Sequence, residues 1–300
     1  MRKIERLIYQ NEHGETVEFS HASVFHPTEI SGLSDIRAAL YTINSMGQDG
    51  DTYLGSRIES RDIEIVGVIK EQNREKARQL RRELGHVLNP HAKATLTYQY
   101  GDFRRVIDCH VNNAPFPPFA NGNAIFRNFT VQLSCPNPFW READDERTEI
   151  AAWTGGFEFP EPDGLEIYES ATTWEIGYRE MSLIVEVFNG GDVKSGMRID
   201  FKANGTLQNP SLLNIETFEF IKTVGCTLIS GDVLSVFTQY GEKRVELTRG
   251  GQTTDVSHYL DPDSTYLQLE VGANSFSYNA DSNLNALEVT IFHNNQYLGV

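Results

Sequence analysis

The 300-residue sequence predicts a mainly β protein of two domains, with one amphipathic helix in the first domain and a β-sandwich in the second. Three observations predict this fold class. β-prone runs separated by turn residues recur along most of the chain. A helical spacing of apolar residues occurs once, and the length suits two domains of roughly 150 residues each. We place the domains at residues 1–143 and 150–300.

The first domain opens with a predicted hairpin, in which Leu7–Gln10 and Thr16–Phe19 flank a polar turn. Residues 27–51 hold several glycines and are predicted to be mostly loop, with one extended stretch at residues 39–43. A long β-rich run from Ile58 to Ile69 follows. Its partial period-2 alternation predicts a central strand.

The single helix begins at Asn73, whose side chain is a good N-cap. Ala77, Leu80 and Leu84 recur at three- and four-residue steps on one face. Pro90 ends the helix, because the residue before a proline disfavours helical backbone angles. The opposite face is basic and is predicted to be solvated or to face a partner, with Arg78 and Arg82 as candidate interface residues.

A second hairpin is predicted from residues 94–100 and 103–111, followed by a loop at residues 112–123 and a strand at 125–134. Loops of this length in compact domains are often functional. Phe116 and Phe119 lie in this loop. Two interpretations stay open: both rings pack beneath the loop, or both dock on a neighbouring subunit and are candidate interface residues.

The first domain is predicted to end at Cys135-Pro136-Asn137-Pro138, because two prolines remove backbone donors and stop the strand. The charged run at residues 141–147 has no apolar face and is predicted to be a connector. Large aromatic side chains at a linker usually pack onto a domain that the linker joins. Phe139 and Trp140 are therefore candidates for a fixed interdomain joint.

The second half contains short β-prone runs separated by glycine- and asparagine-rich turns. Many short strands at this spacing are typical of a β-sandwich. The predicted strands are Ser182–Phe188, Met197–Phe201, Phe218–Ile221, Val233–Phe237, Lys243–Leu247, Thr265–Leu269 and Ala286–Phe292.

Charge divides unevenly between the halves. Residues 1–150 carry 21 acidic and 18 basic side chains and residues 151–300 carry 21 acidic and 8 basic ones, which gives the net charge of −16. Such an acidic second half disfavours nucleic-acid binding. The sequence shows no membrane span and no secretory signal, so we expect a protein made in a cytoplasm. The three widely spaced cysteines are expected to be reduced.

Motifs of the common enzyme classes are missing from the sequence, so no enzyme activity, cofactor or metal site is predicted. A weaker alternative is a hydrolase that uses Asp261 and Asp263, which are more simply turn residues. Trp153 and Trp174 offer a different alternative. These rings could stack on sugars and make the chain a carbohydrate-binding adhesion module that recognises host cell-wall glycan.

A series of motifs resembles the distal tail protein family of long-tailed, siphovirus-like phages and prophages. The similarity covers most of the chain and rests on the order and spacing of the motifs. They are the run Arg57–Ile69 before the helix, Tyr98–Arg105, Cys135–Trp140, Asn189–Asp192, Asn209–Asn214, Gly231–Leu234, Leu269–Asn274 and Tyr297–Gly299.

This resemblance implies a ring-forming N-terminal β domain and a galectin-like C-terminal β-sandwich that faces outward. It also implies a homohexameric hub with a channel for DNA, which joins the tail tube and the tape-measure protein to a tail-tip or baseplate protein. Such a protein would be a structural part of the virion tail tip, assembled in the bacterial host cytoplasm. The sugar-binding His-x-Asn-Pro-Arg motif of galectins is absent from the second half, which favours a docking role for the sandwich.

Overall fold

The computed structural model describes residues 5–47, 49–113, 126–149, 153–155, 177–179 and 184–300. The protein is mainly β and divides into two compact units. The first unit comprises residues 1–143 and 296–300, and the second comprises residues 144–295. The last five residues thus group with the first unit, whereas the sequence-based boundary placed them in the second domain.

The first ten strands and the helix belong to the first unit. They are β1 (Glu5–Asn11), β2 (Thr16–Ser20), β3 (Phe25–Ser31), β4 (Ala38–Ile43), β5 (Thr52–Ile58), β6 (Arg61–Lys70), α1 (Arg74–Val87), β7 (Ala94–Tyr100), β8 (Phe103–Asn113), β9 (Phe126–Cys135) and β10 (Trp140–Arg141).

Seven of these strands form a closed, barrel-like sheet. Their order is β8-β7-β1-β2-β3-β6-β9, and β9 pairs back onto β8. Strand β6 alternates between buried and outward-facing residues, and Ile63, Ile65 and Ile69 are fully buried. Phe19 and Phe129 pack against each other in the same core. The period-2 pattern of the sequence therefore sets which side chains fill the barrel.

The opening hairpin and the helix agree with the sequence predictions. Strands β1 and β2 pair antiparallel, and Asn73 caps α1 by accepting hydrogen bonds from the backbone of Glu75 and Lys76. Ala77 and Leu84 lie on the buried face. The predicted central strand at residues 58–69 is present as β6, which lies between β3 and β9 but begins at Arg61, whereas Ile58 ends β5.

The prediction for residues 27–51, mostly loop with one extended stretch at residues 39–43, was wrong at its start and right about the extended stretch. Strand β3 runs through Pro27 and pairs with β6, and the register shifts between Pro27 and Glu29. A proline is tolerated at such a bulge, although its sequence signal favours a loop. Strand β4 covers the expected extended stretch but pairs with β5, a partner that the sequence did not reveal.

The remaining elements, except the last strand, belong to the second unit. The strands are β11 (Glu146–Glu149), β12 (Trp153–Gly155), β13 (Gly177–Arg179), β14 (Ile184–Asn189), β15 (Met197–Ala203), β16 (Leu207–Gln208), β17 (Ser211–Asn214), β18 (Phe220–Lys222), β19 (Thr227–Leu228), β20 (Val233–Phe237), β21 (Arg244–Arg249), β22 (Gln252–Asp255), β23 (Gly272–Asn279) and β24 (Leu287–His293), with short 3-10 helices at Ser257–Tyr259 and Leu284–Ala286.

Two antiparallel sheets build a sandwich in this unit. One has the strand order β11-β24-β15-β20-β21-β22 and the other has β14-β23-β17-β18. Phe201 and Ile291 from the first sheet and Leu212 and Phe276 from the second share one buried cluster. The burial of side chains from both sheets in one core is the arrangement expected of a β-sandwich.

Three local predictions for this part of the chain need correction. The charged run is only partly a connector, because Glu146–Glu149 pairs with β24 at the edge of a sheet, where charged residues are common. Residues 265–269 form no strand, although Leu267 and Leu269 are buried, and only Leu269 makes a bridge, to Ser195. One of the glycine- and asparagine-rich segments that the sequence predicts to be turns, residues 272–274, instead begins β23.

The final strand, β25 (Gln296–Tyr297), extends the sheet of the first unit. It pairs with β10 through Trp140 opposite Tyr297 and Arg141 opposite Gln296. The C-terminal residues therefore help to cover the core of the first unit.

Candidate assembly surfaces

The hairpin of β4 and β5, here called the arm (residues 38–58), exposes large apolar side chains. Consecutive residues of a strand point to opposite faces. Leu40 and Tyr41 are nevertheless both more than half exposed, so both faces of the arm are apolar. The other large apolar side chains of the arm that are more than half exposed are Ile43, Met46, Tyr53 and Leu54.

Strands β4 and β5 pair only with each other in the part of the chain that the structure describes. An isolated two-stranded hairpin is marginally stable in water, and clustered exposed apolar side chains mark surfaces that bind another protein. The turn region of the arm is acidic, with exposed Asp49 and Asp51. The arm thus combines an apolar body with a negatively charged end.

Helix α1 presents positive charge, opposite in sign to that at the acidic end of the arm. Its buried face is held by Ala77, Leu84 and Val87, and the predicted interface residues Arg78 and Arg82 are exposed. Side chains four residues apart lie next to each other on a helix surface. The two arginines therefore form a compact basic patch.

The predicted interface residues Phe116 and Phe119 lie outside the described residues, which stop at Asn113 and resume at Phe126. Trp174, one of the two rings of the glycan-binding alternative, also lies outside them. For the other ring, Trp153, only the backbone pairing of β12 with β13 is described. A shared sugar-binding surface of these tryptophans stays a prediction.

Trp140 belongs to the core of the first unit. Its side chain is fully buried, and its indole Nε1 donates a 2.8 Å hydrogen bond to the carbonyl oxygen of Leu33. Phe139 is partly buried, and its backbone N–H donates to the side-chain oxygen of Asn137. Both residues lie within the first unit, and their role as a joint between the domains stays a prediction.

Arg61 joins three segments of the first unit, and nothing in the sequence pointed to this role. Its side chain is buried, and Nη1 donates 2.8 Å hydrogen bonds to the carbonyl oxygens of Gly32 and Leu33. Nε donates to Pro138 at 2.8 Å, and Nη2 donates to Leu298 at 2.5 Å. Burial lowers the pKa of the guanidinium, which stays protonated because arginine titrates far above neutral pH.

A cavity of about 130 Å³ lies beside Arg61, where the arm meets the barrel. Its lining carries charges of both signs, from Asp35, Arg37, Glu59 and Asp62. Pockets for drug-sized ligands span roughly 300–1,000 Å³. This cavity is therefore too small to resemble a substrate pocket.

The aspartates of the hydrolase alternative form a turn. The Asp261 carboxylate accepts a 2.9 Å hydrogen bond from the backbone N–H of Asp263, as aspartates in turns commonly do. In the part of the chain that the structure describes, no three histidine, cysteine or acidic side chains are grouped to hold a metal ion. Within those same residues, no helix has the length and apolarity of a membrane span.

Two family models match the chain. The phage tail protein RIFT-related domain matches residues 12–135, and the C-terminal domain of the siphovirus-type tail component matches residues 190–297. The two matches cover most of both structural units. A search of curated protein sequences returns no significant relative.

Solved structures of similar fold cover nearly the whole chain. The Dit protein of phage SPP1, described as a paradigm of the hub adsorption apparatus of phages that infect Gram-positive bacteria, is 14% identical with a TM-score of 0.65. A chain of the phage P2 baseplate in its activated conformation with Ca is 13% identical with a TM-score of 0.55. In both comparisons 97% of this chain and 98% of the other are covered. At these identities the likeness concerns the fold.

Proposed function

This chain belongs to the distal tail protein family of siphophages, and from that premise we propose that it forms a homohexameric ring at the end of the tail. The ring joins the tail tube and the tape-measure protein to a tail-tip or baseplate protein, and its channel lets DNA pass. The protein is a structural component of the virion, and we propose that it is assembled in the host cytoplasm.

The apolar surface of the arm is the observation that carries this proposal. Leu40, Tyr53 and Leu54 are each at least 60% exposed. Burial of such side chains in a contact stabilises it by about 25 cal/mol for each Å² of apolar surface removed from water. A second copy of the chain is the partner that we propose for the arm.

A contact between the arm of one copy and a different surface of the next is head-to-tail. Contacts of this kind close into rings when the rotation between copies permits it. The basic patch of α1, with Arg78 and Arg82, is the receiving surface that we propose. Its charge complements the acidic end of the arm at Asp49 and Asp51, and complementary charges fix the orientation of docking.

The charge of the chain suits a channel for DNA. A net charge of −16 gives little attraction for a phosphate backbone. A ring of such subunits would let DNA pass without holding it by counterion release. We therefore propose a passage role and no specific binding of nucleic acid.

The test is the mass of the full-length protein in solution, measured by size exclusion with light scattering over a range of concentrations. We expect a mass near six times 33.9 kDa and six-fold rings by negative-stain electron microscopy. The double variant Leu40→Ser/Leu54→Ser should be monomeric and keep the circular dichroism spectrum of the wild-type protein, because both side chains are exposed within one copy.

The matched control is Val224→Ser/Ile229→Ser, which removes two exposed apolar side chains of the second unit. This variant should still form the hexamer. A monomeric wild-type protein at every concentration, or a hexamer that survives the arm variant, would contradict the proposal.

A further inference from the structure

His21 and His26 bring two imidazole rings together on the first unit. His21 lies in the turn after β2 and His26 lies in β3. Nδ1 of His21 is 3.4 Å from Nε2 of His26, and the ring planes meet at 58° with centroids 4.7 Å apart. The family matches and the tail function assign no role to this pair.

The distance between the two nitrogens suits a hydrogen bond and also a pair of metal ligands. Hydrogen bonds from N–H to oxygen have donor–acceptor distances of about 2.7–3.2 Å, and the 3.4 Å contact between the two rings is a longer hydrogen bond whose donor depends on the tautomers. Zinc binds histidine nitrogen at about 2.0–2.1 Å in tetrahedral geometry, which places two ligand nitrogens about 3.4 Å apart. The observed spacing therefore also matches that of two ligands on one ion.

The backbone around both histidines is well fixed. The hydroxyl of Ser23 donates a 2.7 Å hydrogen bond to the carbonyl oxygen of Glu18, and the backbone N–H of Ser23 donates to the Ser20 hydroxyl at 3.0 Å. His26 pairs with Val68 of β6. Ligands on such a framework are oriented before an ion binds, which favours binding.

We propose that His21 and His26 form a site for a divalent transition-metal ion, with Zn²⁺, Ni²⁺ and Cu²⁺ as candidates. Imidazole suits these ions, whereas Ca²⁺ and Mg²⁺ prefer oxygen ligands. No third histidine, cysteine or acidic ligand completes the site among the described residues. Two coordination positions are therefore open to water, and the bound ion links the β2–β3 turn to β3.

The experiment uses the full-length chain without a histidine tag, freed of metal by a chelator. Calorimetric titration with Ni²⁺ should show binding of one ion per chain, and titration with Ca²⁺ should show none at this site. The variants His21→Ala and His26→Ala should each lose the Ni²⁺ binding. His13→Ala is the matched control, because His13 is an exposed turn histidine of the same unit, and it should bind Ni²⁺ as the wild-type protein does.

A spectroscopic measurement identifies the ligands. Electron paramagnetic resonance of bound Cu²⁺ should show coupling to two imidazole nitrogens in the wild-type protein. The variant His21→Gln keeps a polar side chain of similar size and should lose that signal while it stays folded. Absence of Ni²⁺ binding by the wild-type protein, or binding that persists in both alanine variants, would overturn the proposal.

Discussion

The arm of the first unit and the β21–β22 hairpin of the second are both exposed, yet they present opposite chemistry. Strand β22 lies at the edge of its sheet, and its four residues, Gln252–Asp255, are polar and exposed. Polar residues on an edge strand discourage pairing with another chain. The arm carries leucine, isoleucine, methionine and tyrosine at comparable exposure. One hairpin is suited to water and the other to a protein partner.

An arginine lies near each hairpin, and the two arginines bind different acceptors. Arg61 follows the arm and donates to neutral backbone carbonyl oxygens. Arg249 ends β21 and binds the buried carboxylate of Asp232, with Nε 3.0 Å from both carboxylate oxygens. Acid does not protonate the backbone carbonyl oxygens that Arg61 binds, whereas it does protonate the Asp232 carboxylate that Arg249 binds. The two units should therefore respond differently to pH.

Arg61→Met should have the largest effect on stability. The change removes four hydrogen bonds to backbone carbonyl oxygens, and an unsatisfied buried polar group costs about 1–3 kcal/mol. We expect the free energy of unfolding of the first unit to fall by about 3 kcal/mol or more, measured by calorimetry. Arg57→Met on the exposed arm is the control and should change it little. Equal stability of the two variants would show that the Arg61 contacts do not stabilise the fold.

Asp232→Asn should have an intermediate effect, confined to the second unit. The backbone N–H of Ile229 also donates to this carboxylate, at 2.9 Å. Hydrogen bonds to charged groups contribute about 1.5–3 kcal/mol when buried. Because Arg249 is half exposed, solvent screening weakens this contact. We therefore expect the free energy of unfolding of the second unit to fall by only about 1 kcal/mol. Asp263→Asn, in an exposed turn, is the control.

The same pair predicts the pH dependence. The hydrogen bond from Arg249 lowers the pKa of Asp232 below its ordinary value of 3.8. The resulting stabilisation is complete above the unfolded-state pKa of about 3.9 and is lost as the pH falls through the lower folded-state pKa. The melting temperature of the second unit should therefore fall less on acidification in Asp232→Asn than in the wild-type protein. Parallel curves for the two proteins would contradict this linkage.

The sequence predicted the elements whose side-chain pattern is local. The capped helix after Asn73 and the β1–β2 hairpin were predicted and are present. Strand β20 has the predicted bounds, Val233–Phe237. In each of these elements, the residues that determine the structure lie within one turn or one strand of each other.

Features set by distant residues were missed. The arm requires β4 to pair with β5 across a glycine-rich turn. The glycines of that turn favour a loop prediction, and so the pairing of the two strands was missed. Arg61 reaches Leu298, which lies 237 residues later in the sequence. A contact with a backbone carbonyl leaves no trace in the identity of the partner residue. Of the predicted interface residues, only Arg78 and Arg82 lie in the described part of the chain, and their role stays a prediction.

Reversing the charge of acidic residues on each hairpin tests whether the arm, and not the β21–β22 hairpin, takes part in assembly. Asp49→Lys/Asp51→Lys places positive charge opposite the proposed receiving arginines. We expect the proposed hexamer to dissociate at a protein concentration about tenfold higher, which corresponds to a loss of about 1.4 kcal/mol in the free energy of association. The combination with Arg78→Glu/Arg82→Glu should restore assembly. The matched reversal on the other hairpin, Asp255→Lys, should leave the hexamer unchanged. Failure of the combined variant to recover would place the arm against a different surface.

The smallest expected effect concerns Thr253 in β22. Its hydroxyl lies 3.0 Å from that of Thr248 on the paired strand, and such cross-strand pairs contribute roughly 0.2–1 kcal/mol. Thr253→Ala should lower the free energy of unfolding by about 0.5 kcal/mol and leave the oligomeric state unchanged. The arm variant Leu40→Ser/Leu54→Ser should do the reverse, with unchanged stability of the single copy and lost assembly. The hydrogen bond between Thr253 and Thr248 lies within one copy, and its loss cannot by itself alter assembly. A change in assembly for Thr253→Ala would therefore mean that the polar hairpin also contacts a partner.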